Sequence, residues 1–474
     1  MSKPLPLCVD LDGTLVHTDM LLESFIRLLR QKFLYIFFIP FWLLKGKSCL
    51  KHKLAEKVSI DYGCLPYNQK LITYIEKEKK KGREIVLVTA SDKIIAKGIA
   101  TQLGLFDEVL ASTDGLNLKG EKKADALVER YADKEFDYIG NETVDLAVWK
   151  HAATAISVNS SRSLRRVLSE FDKVEYIETD TEKSFFRSSI RALRPHQWAK
   201  NILVFVPLLL SHSYFDESRV LSTLLAFISF CLCASAVYIF NDLMDLDADR
   251  RHPVKKNRPF AAGDLSILSG LLLSVLLLGL SAFLAFNISL GYALVFAVYF
   301  LTTTAYSLGL KSVALLDVFI LAGLYTLRVL AGTFSADAQA SFWLLAFSLF
   351  IFFSLAMLKR YSELYNLERR GKKRILVRGY STDDKEILAL LGVASGYISV
   401  LVMALYITTP EHMVAYRKPE FLWIVFPALL FWISRIWLLA SRGQMNEDPV
   451  LFALKDVPSY FIALIAATGV VLAI

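Results

Sequence analysis

Cysteine is scarce in this sequence. Its five residues, Cys8, Cys49, Cys64, Cys231 and Cys233, are scattered over 474 positions with no zinc-type spacing. Cys231 and Cys233, two apart on a helix, point to different faces, and the thiols suit a reducing cytoplasm. There is no internal repeat and no low-complexity tract. The stretch from Met1 to Asp10 holds too short an apolar run for a signal peptide. A basic stripe is missing too: the net charge of +8 is shared among short loops, which fits membrane topology and argues against nucleic acid as a partner. The first 190 residues lack long apolar runs, and the remainder lacks the Lys and Glu that crowd them. With 54% hydrophobic and 21% charged residues, the chain reads as part soluble and part membrane protein, with room for two or more domains.

What is present centres on Asn241-Asp242-Leu-Met-Asp245-Leu-Asp247-Ala-Asp249-Arg250-Arg251-His252-Pro253-Val-Lys255-Lys256-Asn257-Arg258-Pro259. It follows an apolar run, Val220 to Phe240, long enough to cross a bilayer. Continued as a helix, that run puts Asp242, Asp245 and Asp249 at i, i+3 and i+7, within an arc of roughly 60°. Three carboxylates on one face repel each other unless a cation sits between them, and a hard divalent ion such as Mg²⁺ is the expected one. Lys255, Lys256 and Arg258 suit a metal-bound phosphate or diphosphate. The plain alternative is a solvated loop of alternating charge. The pattern Asn-Asp-x-x-Asp-x-x-x-Asp followed by Arg-Pro resembles the first signature of UbiA-type intramembrane transferases.

In the soluble half, apolar strands are expected at 5–11, Ile85–Val88, Glu108–Ala111, Phe136–Ile139 and Ala155–Val158, with helices between them. That alternation argues an α/β, Rossmann-like doubly wound sheet with its site at the carboxyl ends of the strands. Asp10 and Asp12 close the first strand, Thr89 the second, Lys123 opens a helix, and Asn141 and Asp145 follow the fourth. This ordered set resembles the haloacid-dehalogenase (HAD) superfamily over about 1–165. The resemblance implies that Asp10 attacks phosphorus and that Asp12 protonates the leaving oxygen and later activates water. It also implies that Thr89 and Lys123 hold the phosphoryl oxygens. Mg²⁺ would then bind Asp10, the Asp12 carbonyl and the acids after strand four. Asn141 stands where many such phosphatases carry Asp, which leaves Asp145 as the remaining acid and weakens the metal site.

The insert at about 18–80 contains twelve apolar residues, Phe33 to Leu44, flanked by Arg27, Arg30, Lys32, Lys45 and Lys47. They are too few to span, and Pro40 interrupts a helix. The insert reads either as a helical cap lying on the membrane surface or as plain cap core. The soluble domain is expected over 1–168, a polar linker with an interfacial helix over 169–193, and an all-α membrane domain over 194–474.

Nine apolar spans are expected, at about 198–213, 220–241, 266–287, 290–307, 312–333, 341–359, 386–408, 420–440 and 457–474, the first of them short. Basic residues place the loops after the second and sixth spans in the cytoplasm: Arg250 to Arg258, and Lys359, Arg360, Arg369, Arg370, Lys372, Lys373, Arg374 and Arg378. The soluble domain then lies inside, on a cytoplasmic (inner) membrane. Asp317 and Arg328, 11 apart, fall near one helix face and would pair only across a bend.

UbiA-type enzymes usually carry a second acidic repeat; here Tyr306, Lys311 and Asp317 stand instead. Four motifs together resemble decaprenyl-phosphate phosphoribosyltransferases over about 190–474: Arg194-Pro195-His-Gln197-Trp198-Ala-Lys200-Asn201; Asp249-Arg250 through Arg258-Pro259 to Gly263; Tyr306-Ser-x-x-Leu-Lys311; and Lys359-Arg360-Tyr-x-Glu363-Leu. The resemblance implies Mg²⁺ on Asp242, Asp245 and Asp249 gripping phosphoribosyl diphosphate, with a polyprenyl phosphate as acceptor. The residues expected to bind substrate are Lys200, Asn241, Asp249, Lys255, Arg258, Tyr306, Lys311, Asp317, Arg328, Lys359 and Arg360. The fused phosphatase-like domain would remove the 5-phosphate of the product. Two alternatives stand beside this reading: an aromatic prenyltransferase using a prenyl diphosphate, and a non-catalytic lipid-binding scaffold or transporter.

Overall fold

A computed structural model of the chain describes residues 4–178, 184–369, 371, 379–408, 416–445, 448–453 and 455–473. Contacts divide it into two compact units, Met1–Leu193 with Tyr238–Val275, and Arg194–Val237 with Leu276–Ile474.

The first unit is built on a parallel sheet of β1 (Leu7–Val9), β2 (Ile85–Asp92), β3 (Glu108–Ser112), β4 (Asp137–Gly140), β5 (Thr154–Val158) and β6 (Val174–Ile177), in the order β3-β2-β1-β4-β5-β6. Five strands lie where the apolar runs placed them, because a parallel sheet is covered on both faces and its strands are apolar throughout. Successive side chains point to opposite faces. Leu7, Val9, Leu87 and Ile139 pack on one side with Leu71, Ile75 and Ile99. Cys8, Val86, Val88 and Tyr138 pack on the other with Leu127, Trp149 and Leu164. The sixth strand falls inside the stretch expected to be polar linker. It pairs only with β5 and leaves Glu175 and Tyr176 in solvent, so an edge position explains its polar composition.

The insert is helical: α1 (Met20–Gln31), a 3₁₀ turn (Phe33–Phe38), and helices Ile39–Leu44, Lys47–Lys57 and Gln69–Lys80, with Pro40 in the first turn of its helix. Phe33, Leu34, Phe37, Phe38, Phe41, Leu43 and Leu44 are all exposed, Leu44 to 85%, so this stretch is not cap core.

The other unit is helical. Across the described residues, seven helices are long and apolar enough to cross a membrane: Glu217–Met244, Ile267–Ile288, Leu290–Leu308, Leu316–Ser335, Phe342–Arg369, Thr382–Ile407 and Pro419–Ser441. Nine was too many. The run at 198–213 breaks into a 3₁₀ stretch, Pro195–Phe205, and a five-residue helix, Val206–Leu210, each with proline in its first turn. Val457–Ala473 is apolar but shorter, at 17 residues. Of the basic residues used for orientation, Arg370, Lys372, Lys373, Arg374 and Arg378 lie outside the described residues.

Candidate functional site

Toward the carboxyl ends of β1, β2 and β4, the residues expected to act in the soluble half converge. Lys123 Nζ donates to Asp10 Oδ1 at 2.7 Å and to the Tyr138 hydroxyl at 2.9 Å, and that hydroxyl donates to Asp145 Oδ1 at 2.8 Å. Asp145 Oδ2 accepts the backbone N–H groups of Asn141 and Glu142. Thr14 Oγ1 donates to Asn141 Oδ1 at 3.0 Å. The turn carrying Asp12 passes under Asn141 at Gly13, whose φ of +73° and lack of a side chain are both required: a Cβ there would meet Asn141 Nδ2 at 2.5 Å. Asp12 accepts from Met20 N–H at 2.8 Å and Ser91 Oγ at 2.7 Å, while Thr89 Oγ1 accepts from Ser91 N–H.

Burial raises the Asp10 carboxyl well above the usual carboxylate range, and the adjacent Lys123 only partly offsets it. Burial also pushes Asp12 up to about 6, with Asp19 adding to the shift and Ser91 and Met20 opposing it. Burial alone would lower Lys123, yet Asp10 and Asp145 outweigh it and hold the ammonium charged. A carboxyl that keeps its proton near pH 6 is suited to protonate a leaving oxygen.

The acidic stretch departs from the expected geometry. The helix stops at Met244, Asp245 leaves helical backbone at φ −101°, ψ 14°, and a short helix, Leu246–Arg251, follows. The three acids therefore do not share one helical face. Asp242 Oδ1 and Asp249 Oδ2 instead lie 3.0 and 2.6 Å from one nitrogen, Nη1 of Arg258. Asp245 is half-exposed and 3.5 Å from Arg30, and Asp247 pairs with Arg27 at 2.6 Å. Mutual repulsion is relieved by three arginines, Arg258 shared by Asp242 and Asp249, Arg30 for Asp245 and Arg27 for Asp247. Asn241 is half-buried beside Asp242. Lys255 is exposed, and its ammonium makes no hydrogen bond or ion pair among the described residues.

Within the second unit, Arg360 gathers two expected residues, Asp317 and Tyr306. Its Nε lies 2.6 Å from Asp317 Oδ2, and its Nη2 donates to the Tyr306 hydroxyl at 3.2 Å. Glu363 takes Nη1 at 2.7 Å, and the Tyr380 hydroxyl donates to Asp317 Oδ1 at 2.6 Å. Arg328 is not paired with Asp317. It donates to Asn201 Oδ1 and the Tyr299 hydroxyl, both at 2.8 Å, and lies over the Tyr299 and Tyr325 rings. Lys200 and Lys359 converge on Asp448 Oδ2 at 2.9 and 2.8 Å. Burial alone would raise Asp448, but the two ammonium groups hold it well below the usual carboxylate range. Lys311 is part-buried in the turn Leu310–Ser312.

The UbiA prenyltransferase family matches residues 202–465, more than half of the sequence. The chain belongs to the UbiA prenyltransferase family. A Sinorhizobium fredii protein, y4nM, is 38% identical over all of this chain and 92% of its own length. The decaprenyl-phosphate phosphoribosyltransferase of Mycolicibacterium smegmatis is 31% identical over 60% of this chain and 93% of that one. Among solved structures, an Archaeoglobus fulgidus UbiA homologue bound to GPP and Mg²⁺ superposes with a TM-score of 0.47 at 19% identity, over 60% of this chain and 99% of that chain.

This UbiA chain therefore carries, ahead of its membrane-helical family domain, a parallel-sheet domain with acids gathered at its strand ends. No three His, Cys, Asp or Glu side chains gather as metal ligands among the described residues. The buried carboxylates of Asp242 and Asp249 fit a hard cation as a pair, the place now filled by a guanidinium nitrogen; Asp245 does not join them. At the strand-end site, Asn141 and the Asp12 carbonyl would have to make up the donor number beside Asp10 and Asp145. The sequence reading missed Tyr138, Ser91, Tyr299, Tyr380 and Asp448. It quoted Asn201 and Glu363 within motifs but gave them no role. Only motif membership could have flagged those two, and the other five have no local signal.

Proposed function

We propose that this UbiA transferase moves phosphoribose from phosphoribosyl diphosphate to a polyprenyl phosphate and that its HAD-like domain then removes the 5-phosphate. The supporting observation is the convergence of Asp242 and Asp249 on Arg258, an anion-and-cation pairing suited to a metal-bound diphosphate. Similarity to the mycobacterial phosphoribosyltransferase favours the same donor. Asp242 and Asp249 would hold Mg²⁺, with Asp245 adjoining. Bound there, Mg²⁺ would offset the diphosphate charge and ease its departure. Arg258, released from the two carboxylates, and Lys255 take up negative charge as the C1–oxygen bond breaks and its electron pair leaves with diphosphate. Asn241, Lys311, Tyr306, Asp317, Arg360, Arg328, Lys200 and Lys359 are assigned to substrate binding. The acceptor's phosphate oxygen forms the new bond to C1.

In the second reaction, Asp10 attacks the 5-phosphate while Asp12 gives its proton to the departing ribose oxygen. Asp12, now a carboxylate, takes a proton from the water that cleaves the aspartyl-phosphate. Thr89 and Lys123 hold the phosphoryl oxygens, and Asp10, Asp12, Asn141 and Asp145 form the proposed metal site. We assign the N-terminal HAD-like domain to the cytoplasmic side of the inner membrane.

The purified protein is tested with labelled phosphoribosyl diphosphate or a prenyl diphosphate, with and without Mg²⁺, and with Asp242→Asn as the blank. Consumption of the prenyl donor alone makes the protein an aromatic prenyltransferase, and turnover indifferent to Mg²⁺ and to Asp242→Asn rejects both chemistries. Asp10→Asn should stop phosphate release from the lipid product; unchanged release rejects the coupled step.

A further inference from the structure

The helix Leu246–Arg251 carries Asp249, yet it is six residues long, too short to hold its own direction. Its anchors come from α1 of the HAD-like fold, more than 200 positions earlier in the sequence. Arg250 Nη2 lies 2.5 Å from Glu23 Oε1 and its Nη1 3.2 Å from Glu23 Oε2, a two-pronged pair. Three positions before Arg250, Asp247 accepts from Arg27 through Nη2 at 2.6 Å and Nε at 3.2 Å. Glu23 and Arg27, one turn apart on α1, are also bonded to each other. Thr18 Oγ1 holds Glu23 Oε1 at 3.0 Å, and Arg30 Nη1 caps the Met244 carbonyl at 2.9 Å. Glu23, Arg27 and Arg250 are almost wholly withdrawn from water. Desolvated, forked charge pairs fix orientation more strictly than apolar packing does, because any slip leaves a buried charge unmatched. On the other side of the same short helix, Asp249 meets Arg258, which also holds Asp242.

We propose that Glu23 and Arg27 of the phosphatase-like domain are positioning residues for the transferase: through Arg250 and Asp247 they set the turn that aims Asp249 at the diphosphate-binding place. Neither residue touches substrate. The domain fusion is then part of the transferase site and more than a tether. The inference rests on the reading that Asp242 and Asp249 receive a metal-bound diphosphate.

The experiment uses the full chain in detergent and titrates inorganic diphosphate with Mg²⁺ by calorimetry, beside transfer from phosphoribosyl diphosphate and thermal melting. Arg27→Ala, Asp247→Ala and Glu23→Gln are each expected to weaken diphosphate binding by about 10- to 100-fold, the usual loss when a group orienting metal ligands is removed. The double variant Arg27→Ala/Asp247→Ala should be no weaker than the weaker single, since the two act as one pair. Arg27→Lys, which keeps the charge but not the fork, should lose less and covers the case in which Arg27→Ala does not fold. Variants that melt lower but bind diphosphate like the wild type overturn the inference, for then the pairs hold the fold and nothing else. If the wild type binds diphosphate but does not transfer phosphoribose, the donor assignment fails while the binding series still decides the positioning role. A wild type that binds no diphosphate removes both.

Discussion

Arg360 and Asp317 meet at 2.6 Å with neither side chain open to solvent, on two helices 43 positions apart in sequence. The pair is completed on the acid side by Tyr380, whose hydroxyl accepts from Leu315 N–H and donates to Asp317, and on the arginine side by Glu363 and Tyr306. Removing one partner strands the other as a buried charge, at a cost of roughly 3–5 kcal/mol. Arg360→Gln and Asp317→Asn should each lower the melting temperature in detergent, and the double variant should recover part of the loss. Equal melting of single variants and wild type would show that water already reaches the pair.

Asp12 supplies a pH-dependent test. Its folded-state pKa of about 6 lies above the ordinary 3.8, so the folded form binds the extra proton. The stability this brings is fully present below pH 3.8 and is lost as pH rises through 6. Asp12→Asn cannot ionise. In metal-free buffer its stability relative to wild type should therefore climb between pH 4 and 6 and level off above. Denaturant melts of the HAD-like domain's signal at pH 4, 5, 6 and 7 measure this, and a difference independent of pH contradicts the assigned burial cost.

The parts legible in the sequence share one property: their cause is local. β1, β2 and β4 are buried on both faces, so their apolar runs announce them; Asp10 and Asp12 follow the end of β1, Thr89 lies near the end of β2, and Lys123 sits in the first turn of the helix Glu121–Tyr131. The membrane helices announce themselves likewise. The acidic stretch did not. Its helical register was a sound local expectation, but Asp247 found Arg27 and Asp245 found Arg30, each from 215 or more positions away, and the backbone breaks at Asp245. Nothing near Asp242 encodes a partner that distant. β6 was hidden for a different reason: an edge strand buries little, so its sequence stays polar.

Asn141 offers a gain-of-function test. Its Oδ1 accepts from Thr14 and its backbone N–H is held by Asp145, so an aspartate fits the same space and keeps both contacts. Asn141→Asp adds a charged oxygen to the donor set proposed for the metal. Phosphatase activity should then saturate at a lower Mg²⁺ concentration, by about tenfold. Titrating Mg²⁺ against phosphate release reads the shift directly. No change would place the ion away from residue 141.

The exposed apolar run on the insert predicts contact with lipid. Leu34, Phe37, Phe41 and Leu44 are each exposed by 64% or more, and Arg30, Lys32, Lys45 and Lys47 flank them, the composition of a segment lying in the interface of an anionic bilayer. Such a run left in water would be a site of aggregation instead. Leu44→Cys carrying an environment-sensitive dye should shift to the blue when the protein moves from detergent-free amphipol into nanodiscs with anionic lipid. Lys45→Glu together with Lys47→Glu should shrink that shift, because each basic residue near the surface contributes about 1 kcal/mol of attraction. A dye that stays in a water-like environment in anionic nanodiscs would show that the run meets a protein partner or none, and would remove the membrane from the account of the insert.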